Sequence, residues 1–206
     1  MTTSFKEHWE NVYANKTPSE VSWTQEIPKT SLELILNNST DKSLNIIDIG
    51  GGDSLLVDFL LAEGYTNITV LDISSLAIKR AQKRLGDLSN NVTWIVSDIN
   101  DFKPKHKYDI WHDRAAFHFL TEEHQIKNYV SLVNEFVEKQ LILSTFSTNG
   151  PMKCSGLNIT QYSSEKMNQL FKENFQLKEC IFEDHITPFN TVQNFIFCNF
   201  EKRNNP

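Results

Sequence analysis

From residue 44 onward, short apolar runs alternate with longer amphipathic segments, and this alternation limits the chain to a small set of folds. The apolar runs predict strands at 44–49, 67–73, 91–99, 107–113 and 140–146. The amphipathic segments predict helices at 53–64, 74–86, 121–139 and 163–175. Consecutive parallel strands need a crossover, which is usually a helix. We therefore expect a doubly wound, mostly parallel α/β sheet with helices on both faces.

Two further strand-like runs, 175–184 and 191–202, follow one another at the end of the chain without a helix between them. They predict a hairpin, so the last of seven strands should run antiparallel to its neighbours. Helices expected around 4–14 and 29–37 precede the alternation. We therefore expect a single domain over 1–206, with an N-terminal helical cap over 1–43 and a Rossmann-like core over 44–206.

Three of the chain's seven glycines, Gly50, Gly51 and Gly52, stand together between the first strand and the first helix of this core. Glycine lets the backbone turn tightly and lets a ligand approach the main chain. The first strand-to-helix turn of an α/β sheet commonly borders the ligand crevice, and the helix N-terminus attracts negative charge. A dinucleotide site would need a third glycine at the position of Leu55, so the spacing argues against that class.

An acid two residues before the first glycine completes the pattern D-x-G-x-G, formed by Asp48, Gly50 and Gly52. This pattern resembles that of class I S-adenosylmethionine-dependent methyltransferases, although Ser54 stands where many members carry a third glycine. The resemblance covers about 44–203, with four motifs in the expected order. It implies a methyltransferase that binds S-adenosylmethionine, yields S-adenosylhomocysteine and places its N-terminal cap over the cofactor.

Further residues at strand ends agree with this resemblance. Asp72 ends the second strand and would accept both ribose hydroxyls, with Ile73 beside it. Asp98 and Ile99, expected at the end of the third strand, would contact the adenine amino group and ring. A single aspartate at a strand end is commonly a turn former or a helix cap. The combination of acids at consecutive strand ends is what favours cofactor binding.

The residues after the fourth strand resemble the part of the family that lines the methyl-donor pocket. We expect Asp113 and Arg114 to contact cofactor or substrate, and we name Asp113 and His118 as candidate catalytic residues. The same residues also have structural interpretations. Asp113 and Arg114 could form an ion pair, and His118 could be a buried histidine in an apolar run. Alternation along the strand predicts that Trp111 and Asp113 face one way and His112 the other.

The N-terminal segment is rich in aromatic residues, and family members with a similar leader close it over the donor. By this resemblance Tyr13 and Trp23 are cofactor-contact residues, and an aromatic face near a sulfonium gains cation–π attraction. Alternatively, His8, Trp9 and Tyr13 form one helical stripe that packs on the sheet.

The composition limits the cellular compartment and the classes of binding partner that we expect. The three cysteines, Cys154, Cys180 and Cys198, are widely spaced, which is typical of a reduced cytosolic protein and does not suggest a disulfide framework. Cys154 lies in a loop where it could bind a soft substrate, although a lone cysteine is usually inert. The net charge of −6 argues against nucleic-acid and anionic-membrane partners. A polar N-terminus and the lack of long apolar runs or metal-ligand patterns favour a cytoplasmic protein without a metal.

The methyl acceptor is less constrained than the donor. The residues at 112–117 read HDRAAF and lack the D/N-P-P-Y/F motif of nucleic-acid amino methylases. The chain also shows no appended recognition domain of the kind that large substrates often need. These features favour in-line transfer to a small-molecule acceptor. A protein side chain such as lysine is the alternative acceptor, and a catalytically silent cofactor-binding protein is the third interpretation.

Overall fold

The computed structural model describes residues 4–38 and 40–203. Residues 1–3 and 39, which fall in the expected cap, and residues 204–206, which fall in the expected core, lie outside the described residues, as does the side chain of Asn38.

The described residues form α-helices, short 3-10 helices and strands in the alternating order that the sequence predicts. The α-helices are α1 (Phe5–Asn15), α2 (Lys29–Asn38), α3 (Leu56–Ala62), α4 (Ser75–Leu85), α5 (Glu123–Phe136) and α6 (Ser164–Phe171). The 3-10 helices are Pro18–Glu20, Gly86–Asn91 and Phe117–Phe119. The strands are β1 (Asn45–Ile49), β2 (Asn67–Asp72), β3 (Val92–Val96), β4 (Tyr108–Arg114), β5 (Val137–Phe146), β6 (Lys153–Cys154), β7 (Leu157–Asn158), β8 (Phe175–Ile186) and β9 (Val192–Lys202). No helix within these described ranges is long and apolar enough to cross a bilayer.

Within the described part of the chain, seven strands form one sheet in the order β3-β2-β1-β4-β5-β9-β8. The pairs from β3 to β5 are parallel, whereas β9 runs antiparallel to both β5 and β8. The predicted mostly parallel sheet with an antiparallel last strand is therefore confirmed. The strand order reverses between β1 and β4, and a crevice at the carboxyl ends of the strands is expected at such a switch point.

Several predicted element boundaries are wrong, and those of three elements have local reasons. Helix α5 starts after Glu122 instead of Thr121 and ends at Phe136, because the chain passes directly into β5 at Val137. Strand β3 ends at Val96, so Asp98 lies in the turn that follows. Helix α3 begins only at Leu56, because the glycine bend continues as far as Ser54, whose amide donates to the Gly51 carbonyl at 2.7 Å.

The sheet separates two apolar clusters, and neighbouring residues of one strand enter different clusters. Leu141 and Leu143 of β5 belong to the cluster that α5 and α6 cover, whereas Ile142 belongs to the cluster that α2 and α3 cover. This is the period of two expected for a strand that is buried on both faces. The strand ends, which carry the polar residues, are thereby held between two layers of helices.

Strands β8 and β9 carry a disulfide that the sequence did not suggest. Cys180 and Cys198 are directly paired residues of this hairpin, their Cα atoms are 4.2 Å apart, and their sulfurs are bonded. The expectation of reduced, unpaired cysteines is wrong for these two, because the register of the hairpin brings them opposite each other. Cys154 is free and buried.

We expect Phe200→Ala to lower the free energy of unfolding by about 3–5 kcal/mol, because the substitution leaves a void in the α6-covered cluster next to Phe171. Phe182 is 58% exposed on β8, so Phe182→Ala should change that free energy by less than about 0.5 kcal/mol. Urea unfolding of both variants measures the difference. Equal losses in the two variants would contradict the assignment of Phe200 to the core.

Candidate functional site

A cavity of about 1150 Å³ lies at the carboxyl ends of the strands, where the strand order reverses. One side carries acids and glycines from β1, β2 and the turn after β3. The N-terminal cap, and the loop that joins β8 to β9, supply the other walls. Typical sites for one small ligand measure roughly 300–1,000 Å³, so this cavity is slightly larger than that range.

The glycine bend lines this cavity and stays free of side chains for a steric reason. Gly50 has φ of +67°, in the left-handed region that favours glycine, and its amide donates to the Leu71 carbonyl at 2.7 Å. A Cβ at Gly51 would overlap the Asp48 carboxylate, and a Cβ at Gly52 would overlap the Asp72 carboxylate. The two acids therefore occupy the space that side chains on the bend would need.

Asp72 lies at the end of β2, where it is buried and lines the cavity. One carboxylate oxygen accepts the Ser74 amide at 2.7 Å. Burial, followed by the negative charges of Asp48 and Glu10, raises the pKa of Asp72 to about 7. A ligand that donates hydrogen bonds, such as a pair of hydroxyls, would favour the ionised form of this carboxyl.

Asp48 belongs to a buried chain of three polar side chains. His112 Nδ1 lies 2.7 Å from Asp48 Oδ1, and His112 Nε2 lies 2.9 Å from the Ser31 hydroxyl oxygen, so both ring nitrogens are hydrogen-bonded. All three residues line the cavity and are at most 3% exposed, so the network holds the Asp48 carboxylate in place between β1, β4 and α2. Sequence reasoning missed Ser31, because its partner is far away in the chain and nothing local signals the contact.

The other residues proposed for the donor also reach the cavity. Asp98, Ile99 and Ile73 line it. Asp98 Oδ1 accepts the backbone and side-chain N–H groups of Asn100 at 2.9 Å, so the residue is also the turn former that the structural interpretation predicts. Of the three glycines, Gly50 and Gly51 are among the lining residues, whereas Gly52 is not and instead makes room for Asp72.

The aromatic residues of the cap line the cavity and pack on one another. The Tyr13 and Trp23 rings meet at a centroid distance of 6.4 Å, and Trp9 lies 5.6 Å from Trp23 and 5.1 Å from Phe119. Burial, together with the charges of Asp72 and Asp53, raises the pKa of Tyr13 well above its usual value. The two interpretations of this segment are therefore compatible, because the packed stripe is also a wall of the cavity.

Helix α1 is held over the cavity by an acid that sequence reasoning did not single out. The Glu10 carboxylate accepts the Ser75 amide and the Ser74 hydroxyl at 2.8 Å each, and the Leu76 amide at 3.2 Å. These donors form the N-terminus of α4, where a negative charge is favourable. Burial alone would raise the pKa of Glu10, but these hydrogen bonds outweigh it and lower the pKa. The exposed-looking position of Glu10 in α1 gave no sign of this contact.

Asp113 and His118, the candidate catalytic residues, are not among the residues that line the cavity, and the same holds for Asp113 as a candidate cofactor contact. Asp113 is fully buried on the opposite face of the sheet, where it accepts the Ala116 and Phe117 amides at 3.0 Å and the Tyr129 hydroxyl at 2.8 Å. Burial raises its pKa to about 6. Burial also lowers the pKa of His118 to about 3, so this imidazole is neutral.

Arg114 points the other way from Asp113 and lines the cavity, so the two do not form the ion pair considered for them. Its Nη1 donates to the Trp23 carbonyl at 3.0 Å. Cys154 also lines the cavity, but burial raises the pKa of its thiol to about 12. The thiol is therefore protonated at neutral pH, and the chemical role considered for it has no support.

Residues 46–138 match a family model described as a methyltransferase domain. A malonyl-[acyl-carrier protein] O-methyltransferase of Ilyobacter polytropus is 24% identical over 192 residues, which cover 88% of this chain and 70% of that protein. The enzyme of the same name from Anoxybacillus flavithermus is 34% identical over 104 residues, which cover 49% of this chain and 38% of that protein.

The fold is shared with solved structures of low sequence identity. The N-methyltransferase NodS of Bradyrhizobium japonicum, crystallised with S-adenosylhomocysteine, has a TM-score of 0.73 at 15% identity. The superposition covers 98% of this chain and 99% of that one. This likeness shows a common fold.

The raised pKa of Asp72 predicts how the free energy of unfolding depends on pH. Between its unfolded pKa near 4 and its folded pKa of about 7, the unfolded state is ionised and the folded state is protonated, so stability falls as pH rises through this range. Asp72→Asn removes that penalty. In the ligand-free protein it should raise the free energy of unfolding by roughly 2–4 kcal/mol at pH 8 and by far less at pH 4.

Urea unfolding at the two pH values measures this change. Asp101→Asn, at an exposed position in the turn after β3, is the matched control and should give no such pH-dependent gain. A gain for Asp72→Asn that is the same at both pH values would show that ionisation is not its cause.

Proposed function

We propose that this chain, a class I S-adenosylmethionine-dependent methyltransferase by its domain match and its fold, transfers the methyl group to a small-molecule acceptor. The enzyme class and the donor agree with the resemblance seen in the sequence. The observation that carries the assignment of the site is that Asp48, Asp72 and Asp98 line one cavity together with the glycine bend.

These residues fit the donor group by group. The bend beside Asp48 leaves bare backbone, with no Cβ between it and the cavity, for the methionyl end. Asp72 would accept the ribose hydroxyls, and their donated hydrogen bonds would offset the cost of keeping this buried carboxyl ionised. Asp98 and Ile99 would contact the adenine, because they follow β3, the next strand outward in the sheet.

The donor, when bound, supplies an electrophilic methyl group on a sulfonium ion. The protein's own contribution is then to align the acceptor and to exclude water from the reacting atoms. The aromatic wall formed by Trp9, Tyr13 and Trp23 covers the cavity and provides ring faces that attract a cation. Because His118 and Asp113 lie outside the cavity, the proposed mechanism assigns them no proton transfer.

Two observations support a small acceptor. The cavity extends beyond the donor residues toward Phe119, Leu120, Ile186 and Pro188, which offer a largely apolar surface. The relative from Ilyobacter polytropus is named for a malonyl group on an acyl-carrier protein, so the group to be methylated can be small even where a protein carries it, and label would then appear with the macromolecules. A protein side chain remains the competing acceptor, and the second experiment below separates the two.

The first test concerns the donor. Calorimetry should show binding of S-adenosylmethionine and S-adenosylhomocysteine, and Asp72→Ala should weaken both by roughly 10- to 100-fold, because the ribose loses a charged acceptor. Asp101→Ala is the matched control and should bind as the wild type does. Unchanged affinity in a folded Asp72→Ala protein would refute the ribose assignment. Binding of a nicotinamide nucleotide instead of either ligand would refute the proposed donor.

The second test concerns the acceptor. The purified protein is incubated with methyl-tritiated donor and with cell extract separated by size. We expect label in the fraction of small molecules, and we expect the Asp72→Ala variant to lose it. Label confined to macromolecules would assign the protein a macromolecular acceptor. Donor binding without label in any fraction would indicate a protein that binds the cofactor without transferring its methyl group.

A further inference from the structure

Arg114 carries a buried guanidinium group that the described residues leave only partly hydrogen-bonded. Nη1 donates to the Trp23 carbonyl at 3.0 Å, and the guanidinium carbon lies 4.7 Å from the centroid of the Phe195 ring. Nε and Nη2 are buried and have no hydrogen-bond partner among the described residues. Buried donors of a charged group are costly to leave unpaired, so this edge of the guanidinium calls for an explanation.

The charge is not balanced by a neighbouring carboxylate. No described acid lies within 4.0 Å of the guanidinium. The acid that acts on it most strongly, Glu183, is itself engaged, since its carboxylate accepts hydrogen bonds from Gln25 Nε2 and the Thr30 hydroxyl. Burial lowers the pKa of Arg114 only to about 10, so the group remains a cation at neutral pH.

The geometry of the unpaired guanidinium edge suits one kind of binding partner. With Nη1 held by Trp23 and the plane resting on Phe195, the guanidinium is fixed in orientation. The free N–H groups on Nε and Nη2 are parallel and form the fork that binds a carboxylate through two hydrogen bonds.

The position of Arg114 places this fork on the acceptor side of the cavity. The acids proposed to bind the donor lie on β1, on β2 and in the turn after β3. Arg114 lies on β4, beside β1, and its guanidinium rests on Phe195 of β9, three strands beyond β1 in the opposite direction. With strands about 4.8 Å apart, β9 lies roughly 14 Å from β1 across the sheet, so the side chain of Arg114 extends away from β2 and β3. Cys154 and His185 also line the cavity and lie near Arg114. Its positive charge opposes the rise in the pKa of the Cys154 thiol and helps to lower the pKa of His185.

We propose that Arg114 is the receptor for a carboxylate of the methyl acceptor, so that the acceptor is an organic acid or a molecule that carries one. This inference rests on the proposed function and adds the chemical class of the second ligand. The carboxylate of the donor's own methionyl group is the competing source of the same chemistry. The contact of the guanidinium with Phe195, on the side of β1 that faces away from β2 and β3, favours the acceptor, and the experiment below distinguishes the two.

The probes are malonate, succinate, glutarate and benzoate, each paired with its amide, titrated calorimetrically into protein saturated with S-adenosylhomocysteine. We expect at least one acid to bind about tenfold more tightly than its amide, because a charge-assisted pair is stronger than a neutral one. Arg114→Gln should weaken that acid by about 30-fold or more, and Arg114→Lys, which keeps the charge without the fork, should fall between.

The affinity for S-adenosylhomocysteine is measured separately for every variant. It shows whether the variant is folded and whether its donor site is intact. It should change less than about threefold in Arg114→Gln, and the distant control Arg203→Gln should leave both ligands unaffected. A parallel loss of S-adenosylhomocysteine and acid affinity would assign Arg114 to the cofactor and overturn the proposal. Acids that bind no better than their amides, or an unchanged acid affinity in Arg114→Gln, would overturn it as well. Failure of the wild type to bind S-adenosylhomocysteine would instead refute the proposed function.

Discussion

The carboxylates of Asp48 and Asp72 lie against the backbone of Gly51 and Gly52, and the rest of the site depends on this contact. A side chain on Gly51 or Gly52 would displace an acid, and without the acids the bend would be an ordinary turn. Burying two carboxylates so close together is costly. His112 and the Ser74 amide offset part of that cost. A ligand that brings hydrogen-bond donors would offset the rest. The end of the sheet is thus arranged in advance for a hydroxyl-bearing partner.

Much of this arrangement could be predicted from the sequence, because it follows from local patterns and one geometric rule. The alternation of strands and helices fixes a parallel sheet, and parallel strands end at the same edge, so acids at consecutive strand ends must share a crevice. Boundaries were less predictable where a strand directly follows a helix, as at Val137, or where a turn continues an apolar run, as at Asp98.

The errors concern side-chain direction and long-range contacts. Alternation along β4 correctly separated His112 from Asp113, and by the same rule Asp113 and Arg114 could not both face the cavity, although both were assigned to it. The contact between Ser31 and His112 and the pairing of Cys180 with Cys198 depend on how distant segments come together. No local pattern encodes such contacts, which is why the sequence alone left them out.

The covering of the cavity is fastened differently from the sheet beneath it. Helix α1 is tied to α4 by the Glu10 carboxylate at a helix N-terminus and by Arg80, which donates to the carbonyls of Tyr13 and Lys16. Interactions of this kind at partly exposed groups are screened by dissolved ions, whereas the burial of apolar surface is not. We therefore expect dissolved salt to weaken the attachment of α1 to α4 more than it weakens the apolar packing of the sheet.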